Sequence, residues 1–209
     1  NYYQQAWTLW KKCQGGYGMN MELNQIFSKY FNPCIQENSK VDYEECKRCG
    51  GRCCKAMGCH ISPFDLKEIT VKSIINLIDE SQCISIDWWN GNPTDDSTNI
   101  ERAYFLRIKN KNGKVIDPSY GGVCSILTDI GCPLSFEYRP KGARDLIPCN
   151  NDNCTVEYSK QDVAIDWLPY HDIMEEVYNY YYEKGDITDN SILSFEKLMS
   201  IMFGDSNEG

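Results

Sequence analysis

Two periods of apolar residues divide the chain. From Met19 to Tyr30, Leu23, Ile26 and Phe27 fall on one face at helical spacing, with Pro33 beyond the end. The stretch from Tyr2 to Lys12 has the same character and stops before Gly15-Gly16. Ser62-Pro63-Phe64-Asp65 reads as a helix start: Ser62 can cap free N–H groups, Pro63 suits the first turn and Asp65 opposes the dipole. Val71 to Asp79 then carries Ile74, Ile75, Leu77 and Ile78 towards a core. Cys83-Ile84-Ser85-Ile86-Asp87-Trp88 switches to the alternation of a strand. Tyr104-Phe105-Leu106-Arg107-Ile108 and Lys114-Val115-Ile116 flank Asn110-Lys111-Asn112-Gly113 in the pattern of a hairpin. Helical spacing returns over Ser159–Leu168, Tyr170–Lys184 before Gly185, and Ile192–Phe203. The sum is an α+β fold, mostly helical, with a small antiparallel sheet. We expect a single domain over residues 1–209, with cysteine loops over about 46–154 and a helical part over about 159–203.

Residues 39 to 61 follow neither period. They are rich in Cys, Gly and charge, and read as a loop folded around something. Composition sharpens this. The 209 residues are 42 % hydrophobic and 12 % aromatic, enough for a core without disulfide staples. A net charge of -9 repels phosphates and anionic lipid, so we expect neither nucleic acid nor membrane as partner. No apolar run is long enough to span a bilayer, and Asn1-Tyr2-Tyr3-Gln4-Gln5 lacks the pattern of a signal peptide.

The twelve cysteines are unevenly spread: five lie between Cys46 and Cys59, four between Cys124 and Cys154, and Cys13, Cys34 and Cys83 stand alone. An even number permits the disulfides of a secreted protein. Clustering favours metal. Cys46-x2-Cys49 is the spacing by which two thiolates of one turn reach the same ion. Gly50 and Gly51 let the backbone bend close to sulfur. Cys53 and Cys54 are neighbours, with Cα atoms about 3.8 Å apart, closer than the roughly 4.4–6.8 Å that disulfides favour. Adjacent thiols suit two different metals, or one metal and one core contact. Lys47, Arg48, Arg52 and Lys55 interleave the cluster, and cations there should lower thiol pKa values. Cys59-His60 adds two donors, His60 reading more as a polar neighbour than a ligand; His171 reads as structural.

The order Cys46-x2-Cys49-x3-Cys53-Cys54, Ile61-Ser62-x2-Asp65-Leu66, Cys124…Cys132…Glu137-Tyr138-Arg139-Pro140 resembles the YkgJ-like zinc/iron-chelating cysteine-cluster family over about residues 46–149. The resemblance implies a metal-chelating protein, and some related chains are described as flagellin lysine N-methylases. The family usually continues Arg-Pro-x-x-Cys-Arg, where this chain has Arg139-Pro140-Lys141-Gly142-Ala143-Arg144. The cysteine expected at Ala143 would be replaced by Cys149 or Cys154. The expected metal ligands are thus Cys46, Cys49, Cys53, Cys54, Cys59, Cys124, Cys132, Cys149 and Cys154.

Eight of these nine would fill two closed zinc sites or hold two cubane clusters. The excess of thiolate over imidazole, with so many lone thiols, favours one or two 4Fe-4S clusters in a reducing, cytoplasmic compartment over zinc. No phosphate loop, dinucleotide fingerprint or nucleophile elbow occurs. Asp117, Asp129, Glu137 and Asp145 lie near the second group and read as turn or surface residues, while Arg139 and Arg144 read as clamps on the cluster loop. Three classes follow: an iron–sulfur protein acting in redox chemistry or in modification of a substrate, another protein among the candidates; a zinc-stabilised interaction module; and a secreted disulfide protein.

Overall fold

In the computed structural model of the chain, residues 21–34, 48, 50–94, 99–119, 121–129, 131–147 and 155–188 are described. The helices expected over Tyr2–Lys12 and Ile192–Phe203 lie outside them. Helix α1 covers residues 21–30, and its Phe27 packs on Phe31 with ring centroids 4.5 Å apart. A short helix α2 (Arg52–Ala56) leads into strand β1 (His60–Ile61).

Ser62-Pro63-Phe64-Asp65 starts only a single 3-10 turn, Pro63–Asp65, closed by a reciprocal Ser62–Asp65 capping box. Helix α3 (Val71–Ser81) begins separately, with its own box between Thr70 and Ser73. Each box satisfies N–H groups that the first turn leaves without partners. The buried face of α3 is Ile74, Leu77 and Ile78.

Strands β2 (Ile84–Asn90) and β3 (Arg102–Ile108) pair antiparallel, with Ile84 opposite Ile108 and Asn90 opposite Arg102. Strand β1 takes the other edge of β3, giving the order β1-β3-β2. The fold is α+β with a small antiparallel sheet, as expected. The hairpin is not. Gly113 N–H does close a tight turn on the Asn110 carbonyl at 2.9 Å, but residues 114–116 do not pair with β3, whose two edges are taken. They run instead along β2, where Ile116 bridges Ile86 in parallel sense.

After a 3-10 turn at Phe136–Tyr138 come helix α4 (Lys141–Arg144) and a two-residue ribbon, β4 (Leu146–Ile147) with β5 (Thr155–Val156). Helix α5 (Lys160–Trp167) is capped by Ser159, and a 3-10 turn (Leu168–Tyr170) leads to α6 (His171–Glu183). Gly185 follows at φ 69°, where a glycine ends a helix without strain. Helix α5 covers β1: Trp167 Nε1 donates to the Ile61 carbonyl at 2.8 Å. Helix α6 packs on α3, with the Tyr181 hydroxyl on Asp79 at 2.7 Å. Its other aromatic residues stack on Tyr104, Tyr178 at 4.6 Å and His171 at 6.2 Å between ring centroids. No described helix is long and apolar enough to cross a membrane.

Inside the sheet sits an ionic group. Arg107 has no solvent exposure; its Nε lies 3.2 Å from Asp87 and its Nη2 3.1 Å from Asp117. Nη2 also donates to the Asp117 carbonyl at 2.6 Å, and Lys160 of α5 reaches Asp87 at 3.0 Å. Two cations meet two carboxylates, so the buried charge is balanced. Removing one member leaves an uncompensated buried charge. Arg107→Met should therefore lower unfolding stability by about 3–5 kcal/mol. Equilibrium urea unfolding checks this, with Lys29→Ala, which breaks the exposed Lys29–Glu80 pair, as a control expected to leave the midpoint in place.

Candidate functional site

Two cysteine-bearing segments are laid side by side by backbone bonds. The Cys124 N–H donates to the Cys54 carbonyl at 2.7 Å, and the Gly122 N–H to the Ala56 carbonyl at 2.7 Å. Asn110 ties both to the sheet: its side chain accepts from Gly58 N–H and donates to the Gly121 carbonyl. The Ile108 N–H donates to the Cys59 carbonyl at 2.8 Å. Gly58 permits this contact, because a Cβ there would lie 1.8 Å from the Ile108 carbonyl oxygen. Gly50 and Gly51 turn the chain into α2 with φ of 62° and 75°, which bears out the tight bend.

The outcome is a convergence of sulfur. Cys53 and Cys54 Sγ atoms are 4.0 Å apart, Cys54 shares a thiol contact with Cys124, and Cys132 and Cys59 lie within electrostatic range of Cys54. Cys53, Cys54, Cys59, Cys83 and Cys124 are free thiols. Cys83 is a buried core residue, its thiol pushed up to about 11 by burial. Cys46, Cys49, Cys149 and Cys154 lie outside the described residues. Among the described residues, no three His, Cys, Asp or Glu side chains form a group that could hold a metal ion. The sulfurs are gathered, not closed into a coordination shell.

The expected lowering of thiol pKa by flanking cations is not found. Contact with Cys54 and then burial push the Cys53 thiol up, and contact with Cys124 pushes Cys54 up to about 12. Burial does the same to Cys59. Arg52 and Lys55 are exposed, where water screens their charge, while the sulfurs crowd one another. Cys53 and Cys54 both line one cavity, and of the two Cys54 also packs against the core, which leaves open the expected division into one metal and one core contact.

That cavity, of about 270 Å³, separates α2 from α4 and the β4–β5 ribbon. Arg52, Cys53, Cys54, Met57 and Cys59 form one side, and Gly142, Ala143, Leu146, Val156 and Tyr158 the other, with His60 between them. Ala143, which stands where the resemblance expects a cysteine, thus borders the same space as three thiols.

One carboxylate holds the two sides together. Asp65 Oδ2 accepts from Ser62 N–H and Lys141 N–H, each at 2.9 Å, and Oδ1 accepts from Arg144 Nη2 at 2.9 Å. Arg144 also donates to the Arg139 carbonyl, so it clamps the loop as the sequence suggests. Burial nonetheless pushes the Asp65 carboxyl above its usual range. The clamp brings Gly142 so close to β1 that a Cβ would sit 2.6 Å from the His60 carbonyl oxygen.

The carboxylates read as turn or surface residues sort unequally. Asp129 and Glu137 are exposed and Asp145 pairs with Lys141, but Asp117 is fully buried on Arg107. Sequence reasoning also missed Tyr158, whose hydroxyl is held by Asp166 at 2.7 Å while the residue lines the cavity. His60 proves to be 8 % exposed, with Nε2 unpartnered, its ring edge-on to Phe105 at 5.4 Å.

No family model, curated protein or solved structure matches the chain. The cysteine-cluster resemblance rests on its own residues.

Asp65→Ala should remove three hydrogen bonds and strand the partly buried Arg144. A loss of about 2–3 kcal/mol is expected from charge-assisted bonds of this kind. Amide hydrogen exchange should locate the change: faster exchange at Lys141 and over α4, with β2 and β3 unaltered. Unchanged exchange over α4 would show that the clamp does not hold the cavity wall.

Proposed function

We propose that the chain is a thiolate metal-binding protein, with Cys53, Cys54, Cys59, Cys124 and Cys132 supplying sulfur from the described residues and Cys46 and Cys49 from the same loop. The observation that carries this reading is that thiols of two distant segments, Cys53, Cys54 and Cys59 of one and Cys124 and Cys132 of the other, come within contact or electrostatic range of one another without yet forming a closed site. Contact with a neighbouring thiol and burial push the Cys53 and Cys54 thiols up, burial does so for Cys59, and a cation in their midst would reverse that penalty. Binding would release protons and replace S–H groups by metal–sulfur bonds.

The Cys53–Cys54 separation bears on the metal. A tetrahedral ion with metal–sulfur bonds near 2.3 Å puts its ligands about 3.8 Å apart, close to the 4.0 Å between these sulfurs. This supports a single ion shared by both, with zinc the simplest candidate. In a cubane each cysteine takes its own iron. The iron–sulfur reading is supported by a different observation: with Cys46 and Cys49, the thiols outnumber the four that one zinc ion takes. Either centre would border the cavity, and a metal with a free position there could polarise a bound molecule. Cys149 or Cys154 is the substitute for the missing cysteine at Ala143, and the compartment in this reading is a reducing one.

Metal analysis of protein purified without oxygen decides among these. Stoichiometric zinc in colourless protein fits the shared-ion site; a brown protein with iron and acid-labile sulfide fits the cluster. Cys54→Ser and Cys124→Ser should each remove at least half the metal, while Cys34→Ser and Cys83→Ser leave it in place. Absence of metal from freshly purified protein, with thiols that alkylate only after reductant, would replace this reading by the disulfide one.

A further inference from the structure

The cavity carries an inference that does not need the metal. Its walls are mainly apolar, formed by Met57, Ala143, Leu146 and Val156 with the Tyr158 ring. At about 270 Å³ it falls just below the roughly 300–1,000 Å³ of pockets that take drug-sized ligands. Among the described residues lining it, one buried side-chain polar atom lacks a hydrogen-bond partner: Nε2 of His60. A neutral imidazole carries a lone pair on one of its two nitrogens, and Nε2 is the His60 nitrogen that is buried without a partner.

We propose that this cavity binds a small neutral molecule with an apolar body and one hydroxyl or N–H donor, the donor bonding His60 Nε2. The apolar walls set the body, and the volume limits it to the order of ten non-hydrogen atoms. The charges around His60 set the donor. Arg107, opposite it on β3, and Lys160 from α5 are cationic neighbours of the ring, and they disfavour an ammonium at the same place. Their partners Asp87 and Asp117 are consumed by those ion pairs. A water molecule is a poorer occupant, because buried water needs about two to four polar partners and the Tyr158 hydroxyl is already engaged by Asp166.

The test uses cyclohexanol and, as a body of similar size without a donor, cyclohexyl methyl ether, titrated into the full chain and followed by methyl and amide NMR. Saturable shifts at Ala143, Leu146 and Val156 are expected, with cyclohexanol binding about fivefold or more tighter than the ether. Ala143→Phe, which fills the cavity from a half-buried position, should abolish both. His60→Phe should retain weak binding and erase the preference for the alcohol; near-ultraviolet circular dichroism checks that this variant is folded. Leu146→Trp gives a second obstruction from the opposite strand if His60→Phe is not. Absence of saturable shifts, or a preference for alcohol that survives His60→Phe, or binding that survives both obstructions, overturns the proposal. The titration is repeated on protein stripped of metal. Probe binding by a chain that holds no metal leaves this inference standing where the metal reading has failed, and metal without probe binding does the reverse.

Discussion

A guanidinium with no route to water must be neutralised where it stands, and much of this architecture follows from where Arg107 stands. Its two carboxylate partners come from different places: Asp87 from the paired strand β2, and Asp117 from the segment that runs along the other side of β2. Lys160 then fixes α5 over the same face through Asp87. The ion group therefore sets the register of the central strands, the path of residues 114–119 and the position of a helix together. Such groups gain little net stability over an apolar core of the same shape, because desolvation offsets the attraction. What they do provide is intolerance of alternatives: any slip of β2 against β3 would leave buried charge without a partner.

Asp65 plays a comparable part at the rim. It is a short link between residues 76 and 79 positions apart, Lys141 and Arg144, and it works only because Gly142 lets α4 touch the backbone of β1. With Asn110 and the Cys54–Cys124 backbone bond, it assembles the cavity and the thiols from main-chain contacts and carboxylate chemistry. The sulfur atoms take almost no part in that assembly. The metal-binding reading proposed above relies on that division of labour.

Helices α3 and α6 were legible because each has a one-sided apolar face, and strands β2 and β3 because each is a short apolar run, whereas α5 has a Ser159 cap but little one-sidedness. The hairpin at Asn110–Gly113 was misread for a reason no local pattern contains: β3 was already paired on both edges, one of them by a two-residue strand too short to signal itself. The turn chemistry was right and the pairing was wrong. Asp87 and Arg107 did leave a trace, since each interrupts an apolar strand with a charge, and two such interruptions could have been read as a buried pair. The joint role of Ser62, Asp65 and Arg144 needed tertiary distance to be seen. The resemblance put Ala143 in question by sequence position, and the structure gives that position a physical meaning as a wall of the cavity.

The thiols show most clearly where sequence electrostatics stop short. Lys47, Arg48, Arg52 and Lys55 look decisive when written beside the cysteines, yet adjacency along a chain is not adjacency in dielectric. Arg52 and Lys55 face water, where screening weakens their fields, while Cys53, Cys54 and Cys59 meet one another in an interior where like charge is costly. Burial and crowding win, and the uncharged thiol is the favoured form. Because the partners are about seventy positions apart, Cys54 against Cys124, a cation joining them would also close a long loop. The entropic cost of that closure is already met by the backbone bonds and by the sheet beneath. In the metal-binding reading proposed above, an ion would meet donors that the backbone already brings near one another, so less of its binding energy would go to building the fold.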